Sequence, residues 1–207
     1  MKKTVWVFLF VLLVSASVSA QDRGFASVNW SIGFPTGRTA EFLDSKVSLS
    51  GFTFDFRRYL DDDFSVGLSL GWNYWSLMTG ETIWLNQGAV SGTQIRYINA
   101  FPLLVNAHYY LGGNRNELRP FLGINTGAYY MLQRLDIGVV SLDNDTWHFA
   151  LSPEVGVLIP VDRGTTVTLT ARFNYAADSG TTLGGSETNT YSWVSLNVGL
   201  GWGHGWY

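Results

Sequence analysis

The sequence lacks cysteine, and after its first twenty residues it contains a single lysine, Lys46. Without cysteine the chain can form neither a disulfide framework nor a lipid-modified N-terminal cysteine. Charged residues make up 14% of the chain, whereas about 25% is usual in soluble domains. The net charge is −3, so the basic surface with which proteins bind nucleic acid is absent as well. The solvent-exposed face of a soluble all-β protein carries many charged residues, and this chain has few charged residues with which to form such a face.

Long apolar runs are also scarce, because the only one lies within the first twenty residues, MKKTVWVFLFVLLVSASVSA. A basic start, an apolar run and small residues at Val18, Ser19 and Ala20 predict a secretory signal peptide over residues 1–20. The run is shorter than the roughly 20 residues of a spanning helix, which argues against a membrane anchor. Residues 21–207 then form one domain. If this domain enters a membrane, it must do so with strands.

The stretch FSVGLSLGWNYW, 64–75, places a bulky apolar residue at every second position, with Ser, Gly or Asn between them. Such alternation predicts a strand, because successive side chains leave a strand on opposite faces. In the segment 46–59, Val47 and Leu49 are out of phase with Phe52, which predicts either a bulge or a projection beyond the membrane. The eight predicted strands are 24–34, 46–59, 64–75, 93–111, 119–133, 146–161, 165–176 and 191–206.

The connections between the predicted strands alternate in length. Long connections follow the odd-numbered strands, and short ones follow the even-numbered strands. A barrel in the bacterial outer membrane has this arrangement, with long loops outside the cell and tight turns in the periplasm. The alternation therefore predicts that both termini are periplasmic. The long connections are 35–45, 78–92, 134–145 and 177–190, and the short ones are 61–63, 112–118 and 162–164.

The amino-acid composition of the polar strand faces indicates which side of the sheet meets water. They consist mainly of Gly, Ser, Thr and Asn, which suit the tight interior of an eight-stranded barrel. The apolar faces then meet lipid, whereas a soluble barrel of the lipocalin kind would turn them inward. The sequence predicts an all-β fold, an eight-stranded antiparallel up-and-down transmembrane β-barrel.

Aromatic residues collect near both ends of the predicted strands. Amphipathic rings lie at the two interfaces of a bilayer, so these residues predict two aromatic girdles. The predicted girdle near the long loops consists of Trp72, Tyr74, Tyr97, Tyr130, Trp147 and Tyr175, and the one near the short turns consists of Phe25, Phe64, Tyr109, Phe121, Trp202 and Trp206.

The stretch LRPFLGINTGAYY, 118–130, combines a proline, an aromatic, an aliphatic residue and a glycine, followed by small residues and a Gly-x-aromatic unit. It resembles the opening of a central strand in the small outer-membrane barrels of the OmpA, OmpX and OmpW types. The resemblance implies a location in the outer membrane, contact with its lipids and lipopolysaccharide, and insertion by the barrel-assembly machinery. The family usually ends on an aromatic residue in the apolar phase. Here Trp206 is in phase and Tyr207 is not, so recognition by that machinery is expected to depend on Trp206.

A few charged residues fall on the predicted lumen face, namely Asp55, Arg57, Arg96, Glu154 and Arg172. If Asp162 pairs with Thr166 across the third short turn, Arg172 lies diagonal to Glu154, within reach of long side chains. A buried charge without a partner is costly, so Glu154 and Arg172 are predicted to form a lumen ion pair. We expect these charges to form a structural plug, since eight strands leave no aqueous channel; the alternative is an ion gate.

Enzymatic activity and metal binding are weaker interpretations of the same residues. His148, Ser152 and Glu154 share one strand face, and relatives that modify lipid A use these residue types. However, His148 and Ser152 are roughly 13 Å apart along a strand, too far for a base and its nucleophile. The acidic run at 61–63 has no His or Cys beside it and suits a solvated turn better than a metal site. No cofactor is expected.

The sequence leaves two non-enzymatic functions open. The first is a structural or surface-interaction protein whose outer loops meet the environment. The second is an OmpW-like conduit for small hydrophobic molecules, with a lumen pocket that opens sideways into the bilayer. An apolar pocket near Trp75, Ile98 and Trp193 would favour the conduit, and a lumen packed with polar side chains from end to end would favour the first function.

Overall fold

The computed structural model describes residues 24–80, 82–85, 88–91, 94–112, 118–137, 140–162, 164–177 and 190–203. The predicted signal peptide and the predicted girdle residue Trp206 lie outside these ranges. In chain order the elements are β1 (Gly24–Thr36), α1 (Gly37–Phe42), β2 (Ser50–Tyr59), β3 (Phe64–Thr79), β4 (Thr82–Leu85), β5 (Gly88–Ser91), β6 (Gln94–Tyr110), β7 (Arg119–Ile137), β8 (Val140–Asp162), β9 (Thr165–Ala176) and β10 (Tyr191–Gly203).

Eight of the strands close into a barrel in the order β1-β10-β9-β8-β7-β6-β3-β2, and all neighbouring pairs are antiparallel. The first and last strands pair over twelve residue positions, from Phe25 with Gly203 to Thr36 with Ser192. Closure leaves no free sheet edge along this seam. The predicted eight-stranded up-and-down antiparallel barrel is therefore confirmed, and every predicted strand corresponds to one barrel strand.

The strand alternation separates an apolar outside from a mainly polar inside. Outward-facing Leu103, Val105 and Leu122 are each about half exposed, whereas the inward-facing Ser65, Ser69 and Asn125 are fully buried. Outward positions carry no charged residue in the ranges 26–34, 52–56, 64–74, 101–109, 122–132, 147–161, 167–175 and 194–202. The core of this protein is therefore the inside of the barrel, where the inward-facing side chains pack, rather than an interface between two layers of structure.

Two irregularities change the register that simple alternation predicts. Trp30 pairs with Phe52, yet three residues further along β1 Gly33 bridges to Ser48, so the β2 side carries one extra residue. This bulge explains why Leu49, like Phe52, is exposed on the outside, and Trp30 Nε1 donates to the Leu49 carbonyl at 2.7 Å. A second shift lies between Pro160 and Asp162.

Two small elements lie in connections that sequence analysis left without structure. The helix α1 follows β1, and the hairpin β4–β5 lies between β3 and β6. Both are at the end of the barrel where the connections are long. Within the described ranges, no helix is long and apolar enough to span a membrane.

Candidate functional site in the barrel lumen

The barrel interior is filled in three layers along its axis. An aromatic and aliphatic cluster occupies the end near the long connections, here called the outer layer, and a second cluster of Phe25, Tyr59, Tyr110, Phe121 and Leu158 occupies the other end, the inner layer. Between them lies a central layer of buried charged and polar side chains. Each layer is built from inward-facing residues of several strands, so the sheet itself holds the filling in place.

The predicted ion pair is present at the centre of the lumen. Arg172 Nε donates to Glu154 Oε2 at 2.6 Å, and both side chains are almost completely buried. The predicted register was wrong in detail, because Glu154 pairs directly with Arg172 rather than diagonally. Asp162 pairs with Thr165 rather than with Thr166, and the shift between Pro160 and Asp162 moves the register by one further position. Together these two differences bring the side chains of Glu154 and Arg172 closer than the prediction had them.

Arg172 connects two carboxylates on different strands. Besides Glu154, its guanidinium donates through Nη2 to Asp55 Oδ1 at 3.3 Å and through Nη1 to Ser69 Oγ at 3.1 Å. Asp55 in turn accepts from Asn29 Nδ2 at 2.9 Å. The network therefore spans the lumen from β8 and β9 to β1, β2 and β3. A buried guanidinium with this many acceptors keeps its charge compensated.

His108 is a member of this network that sequence analysis missed. Its Nε2 donates to Glu154 Oε1, although the two residues lie on β6 and β8 with β7 between them. The residue between them is Gly123, which pairs with His108 on one side and with Glu154 on the other. A Cβ on Gly123 would lie 2.6 Å from His108 Cδ2 and 2.8 Å from Glu154 Cγ. Gly123, which belongs to the stretch 118–130, therefore leaves the space in which the side chains of His108 and Glu154 come into contact.

Two arginines stack on aromatic rings in the inner layer. Arg57 lies 4.7 Å above the Phe121 ring and 5.8 Å from Phe25, and Arg119 lies 4.5 Å above the Tyr110 ring. Arg57 also reaches the central layer, with Nη2 at 3.8 Å from Glu154 Oε1. Arg119, which sequence analysis did not single out, donates to the carbonyl of Asp62 in the short β2–β3 turn. Cation–π contacts of this kind are strongest where water is excluded.

This inner layer corrects two of the girdle predictions. Phe25 and Phe121 were expected on the outer surface, but they are 2% and 1% exposed and lie inside the barrel. They share the phase of Ser27 and Gly123, the polar face of their strands. Inward-facing positions at the ends of the strands can hold aromatic rings, because rings at these positions close the end of the barrel. Inward-facing positions in the middle of a strand must instead leave room for the side chains of the opposite strands.

The outer layer contains the three residues on which the conduit hypothesis depends. Trp75, Ile98 and Trp193 are at most 2% exposed, and the two indoles pack edge to face with ring centroids 5.4 Å apart. Phe42 and Leu43, at the end of α1, are buried in the same cluster. The full cluster consists of Phe42, Leu43, Trp75, Ile98, Ala100, Leu104, Tyr129, Met131, Ala150, Ala176, Tyr191 and Trp193.

Arg96 belongs to the outer layer and not to the central charge network. Its Nη1 donates to the Phe42 carbonyl at 3.0 Å, and its guanidinium lies 5.3 Å from the centre of the Phe42 ring. On the opposite side, Thr39 Oγ1 accepts from the backbone N–H of Ser192 at 2.9 Å. These contacts hold α1 across the outer end of the barrel, so that its apolar side closes the lumen.

The remaining predicted girdle residues within the described ranges face outward. Trp147 is the most exposed of them at 59%. Neighbouring rings form contacts along the outer end, as between Tyr74 and Tyr97 at 6.2 Å and between Tyr130 and Trp147 at 5.1 Å. The outward-facing members are Trp72, Tyr74, Tyr97, Tyr130, Trp147 and Tyr175 at the outer end and Phe64, Tyr109 and Trp202 at the inner end.

Beyond the outer girdle, β7 and β8 continue as an exposed hairpin with a small ion cluster. Arg134 Nε lies 2.9 Å from Asp136 Oδ1 and 3.5 Å from Asp143 Oδ1. Hydrogen bonds from Ser141 and from Arg134 lower the pKa of the Asp136 carboxyl. These pairs are open to solvent, so they contrast with the buried network of the lumen.

The lumen residues considered for enzymatic activity do not assemble into a catalytic site. His148 Nδ1 donates to the Ala177 carbonyl at 2.7 Å, and Ser152 Oγ shares a hydrogen bond with Tyr129 OH at 3.1 Å. Glu154 binds His108 and Arg172 instead. A nucleophile needs a base within hydrogen-bond reach, and among the described contacts His148 and Ser152 bond to different partners. Asp61, in the acidic run, accepts from the backbone N–H of Asp63 at 2.9 Å, as expected for a turn.

Comparison with solved structures identifies the architecture. The barrel is similar to that of Ail, the attachment invasion locus protein of Yersinia pestis, solved in complex with the heparin analogue sucrose octasulfate, with a TM-score of 0.54 and 8% identity over 88% of this chain and 98% of that one. Neisserial surface protein A matches with a TM-score of 0.52 and 14% identity, over 86% of this chain and 96% of that one. The outer membrane protein OprG of Pseudomonas aeruginosa matches with 0.52 and 13%, over 88% and 96%.

The chain has the fold of small outer-membrane β-barrels. At such low identities the likeness concerns the fold alone. No protein-family profile matches the sequence, and no curated protein matches it. The function must therefore be argued from the lumen and the outer surface of this chain.

Proposed function

We propose that the protein is an integral barrel of a bacterial outer membrane, non-enzymatic and closed to passage, whose role is exercised by its outer loops and outer surface. The observation that carries this proposal is the filling of the lumen in three layers. In the central layer alone, the hydrogen bonds of Arg172, Glu154 and Asp55 connect six strands, β1, β2, β3, β6, β8 and β9. A molecule crossing the barrel would have to separate these ions. Their separation would cost much free energy, because the ions are buried away from water.

The outer surface supports the membrane part of the proposal. Its uncharged belt covers about nine residues on β1, which corresponds to the roughly 25 Å apolar band of a membrane barrel. If the barrel were in water, it would expose an apolar surface far larger than the few hundred Å² that soluble monomers expose. With the long connections outside the cell, the amino and carboxyl ends are periplasmic, and residues 1–20 act as the export signal. Outer-membrane lipids and lipopolysaccharide then surround the belt, and the barrel-assembly machinery inserts it.

The conduit hypothesis needs an apolar space beneath the outer loops. The residues expected to surround that space pack against one another instead, with Trp193 in edge-to-face contact with both Trp75 and Tyr129. The side chains of Phe42 and Leu43 are buried in the same cluster. This favours the structural or surface-interaction role over transport.

The charge of the outer connections narrows the choice of partner. The segments 37–49, 75–99, 131–149 and 177–190 contain eight acidic residues and four basic ones. A polyanion such as the sulfated ligand in the Ail complex would be repelled by this surface. The loops suit a neutral or basic partner better.

Conductance and ligand content of the refolded chain test the proposal. In planar bilayers we expect no single-channel steps from residues 21–207, and native mass spectrometry should find no hydrophobic molecule retained inside the barrel. The matched variant Trp75→Ala/Trp193→Ala, which removes two indoles of the outer layer, shows whether the mass-spectrometric assay detects a hydrophobic molecule once an apolar space is available beneath the outer loops. Regular conductance steps or a stoichiometric bound hydrophobic molecule in the unaltered protein would contradict the closed lumen.

A further inference from the structure

Three inward-facing polar side chains in the middle of the barrel have atoms without a hydrogen-bond partner in the described part of the chain. Asn106 is 5% exposed, and neither its Nδ2 nor its Oδ1 has a partner among the described residues. In the same part of the lumen, Asn125 Oδ1 and His108 Nδ1 are also unpartnered within the described chain, and both residues are fully buried. An unsatisfied buried polar group is costly, so a cluster of them indicates a bound molecule that supplies hydrogen bonds.

The register places these groups around one small region. Asn106 on β6 is directly opposite Asn125 on β7, where cross-strand Cβ atoms are about 5 Å apart. His108 lies two residues further along β6 on the same face, at about 6.6 Å. On the other side Asn106 pairs with Gly67 of β3, which contributes no side chain. Polar groups therefore converge on a region bounded on one side by bare backbone.

The hydrogen bonds already made fix which groups are available. Asn125 Nδ2 donates to the Ser152 carbonyl at 3.0 Å on the β8 side, so its Oδ1 is the atom of this amide that remains available. His108 Nε2 donates to the Glu154 carboxylate, so Nδ1 of the neutral ring is an acceptor. The region thus offers two isolated acceptors together with the donor and the acceptor of Asn106.

The geometry points to a hydration site in the lumen, in which one or two ordered water molecules bridge Asn106, Asn125 and His108. A water molecule donates two hydrogen bonds and accepts up to two, so one molecule can donate to both isolated acceptors and accept from Asn106 Nδ2. A second molecule would donate to Asn106 Oδ1. Buried waters typically make about three such bonds. The site goes beyond the proposed closed lumen, because it makes water a constitutive part of the plug rather than a substance that passes through it.

Two substitutions that differ by one oxygen atom test the site. Asn106→Ser retains a hydroxyl that can bond to the bridging water, and Asn106→Ala does not, while the two side chains have nearly the same volume. If water occupies the site, Asn106→Ser unfolds at a higher urea concentration than Asn106→Ala. The control is Ala100→Ser, on the same face of β6 within the apolar outer layer, where the added hydroxyl should lower the unfolding midpoint. An equal or reversed order of the two Asn106 variants would overturn the proposal.

Measurements on the unaltered barrel keep the proposal testable even if a variant fails to fold. In detergent micelles, cross-relaxation between water and side-chain amide protons should appear at Asn106 and be absent at Asn29, whose Nδ2 donates to Asp55, Thr53 and Ser27. A dry Asn106 amide would refute the hydration site without affecting the closed-lumen proposal, because conductance tests that proposal separately.

Discussion

Glu154 and Arg172 lie directly opposite each other on β8 and β9, and Arg172 Nε donates to Glu154 Oε2 at 2.6 Å. The same carboxylate also accepts from His108 and faces Arg57 at 3.8 Å. Glu154 is therefore the acceptor on which two guanidinium groups and an imidazole converge. Its removal would leave the buried guanidinium groups of Arg57 and Arg172 with one acceptor fewer to compensate their charge.

We expect Glu154→Gln to destabilise the barrel by about 3–5 kcal/mol, the usual cost of breaking a buried ion pair by removing one partner. The measurement is equilibrium urea unfolding of the refolded barrel in lipid vesicles. As the control, Asp143→Asn removes one partner of an exposed pair with Arg134, for which the expected cost is at most about 1 kcal/mol. Equal effects of the two substitutions would show that the central network contributes no more than a surface pair.

Gly123→Ala tests the gap through which His108 and Glu154 meet. The new Cβ would lie within 2.8 Å of both side chains, so they must separate or the strands must shift. We expect a loss of about 1–3 kcal/mol, typical of overpacking in a core. Gly24→Ala is the matched substitution at a site with nothing within 4 Å, and it should change stability by less than about 0.5 kcal/mol. A Gly123→Ala barrel as stable as the Gly24→Ala barrel would contradict the close approach.

Lys46 provides a test of the orientation in the membrane. It is exposed in the connection between α1 and β2, and it is the only lysine beyond residue 20. An amine-reactive label that does not cross membranes should modify it in intact cells, and Lys46→Arg should abolish this modification. Labelling only after the outer membrane has been permeabilised would place this end of the barrel in the periplasm.

The barrel was predictable because its physical cause is local. Alternation with period two is visible in each strand by itself, as in 64–75, and the alternating connection lengths are typical of an up-and-down barrel. The bulge near Leu49 was one of the two alternatives that the sequence left open, since Val47 and Leu49 are out of phase with Phe52.

Most of the lumen network was not predictable, because it depends on register across several strands. The sequence indicates that Glu154 and Arg172 face inward, but the shift between Pro160 and Asp162 decides which of their neighbours they meet. His108 reaches Glu154 only because Gly123 occupies the position between them. Once a register was proposed, the row of His108, Gly123 and Glu154 was the one signal that could have revealed this contact.

The inward rings of Phe25 and Phe121 were mispredicted for a related reason. Near a strand end, an aromatic residue can close the lumen or anchor the interface, and residue type does not distinguish these roles. Phase does distinguish them, because both residues share the phase of the polar face. Treating alternation as decisive even at strand ends would have placed them inside.

An integral membrane barrel requires that lipid, and not water, solvates the outward apolar face. Quenching of tryptophan fluorescence by bilayers with brominated acyl chains measures this most directly. Trp30→Phe/Trp202→Phe removes two outward indoles that are about half exposed, and Trp75→Phe/Trp193→Phe removes two buried ones. We predict that the quenched fraction falls in the first variant and rises in the second. The opposite changes, or cooperative folding of the chain in buffer without any amphiphile, would contradict a lipid-facing outer surface.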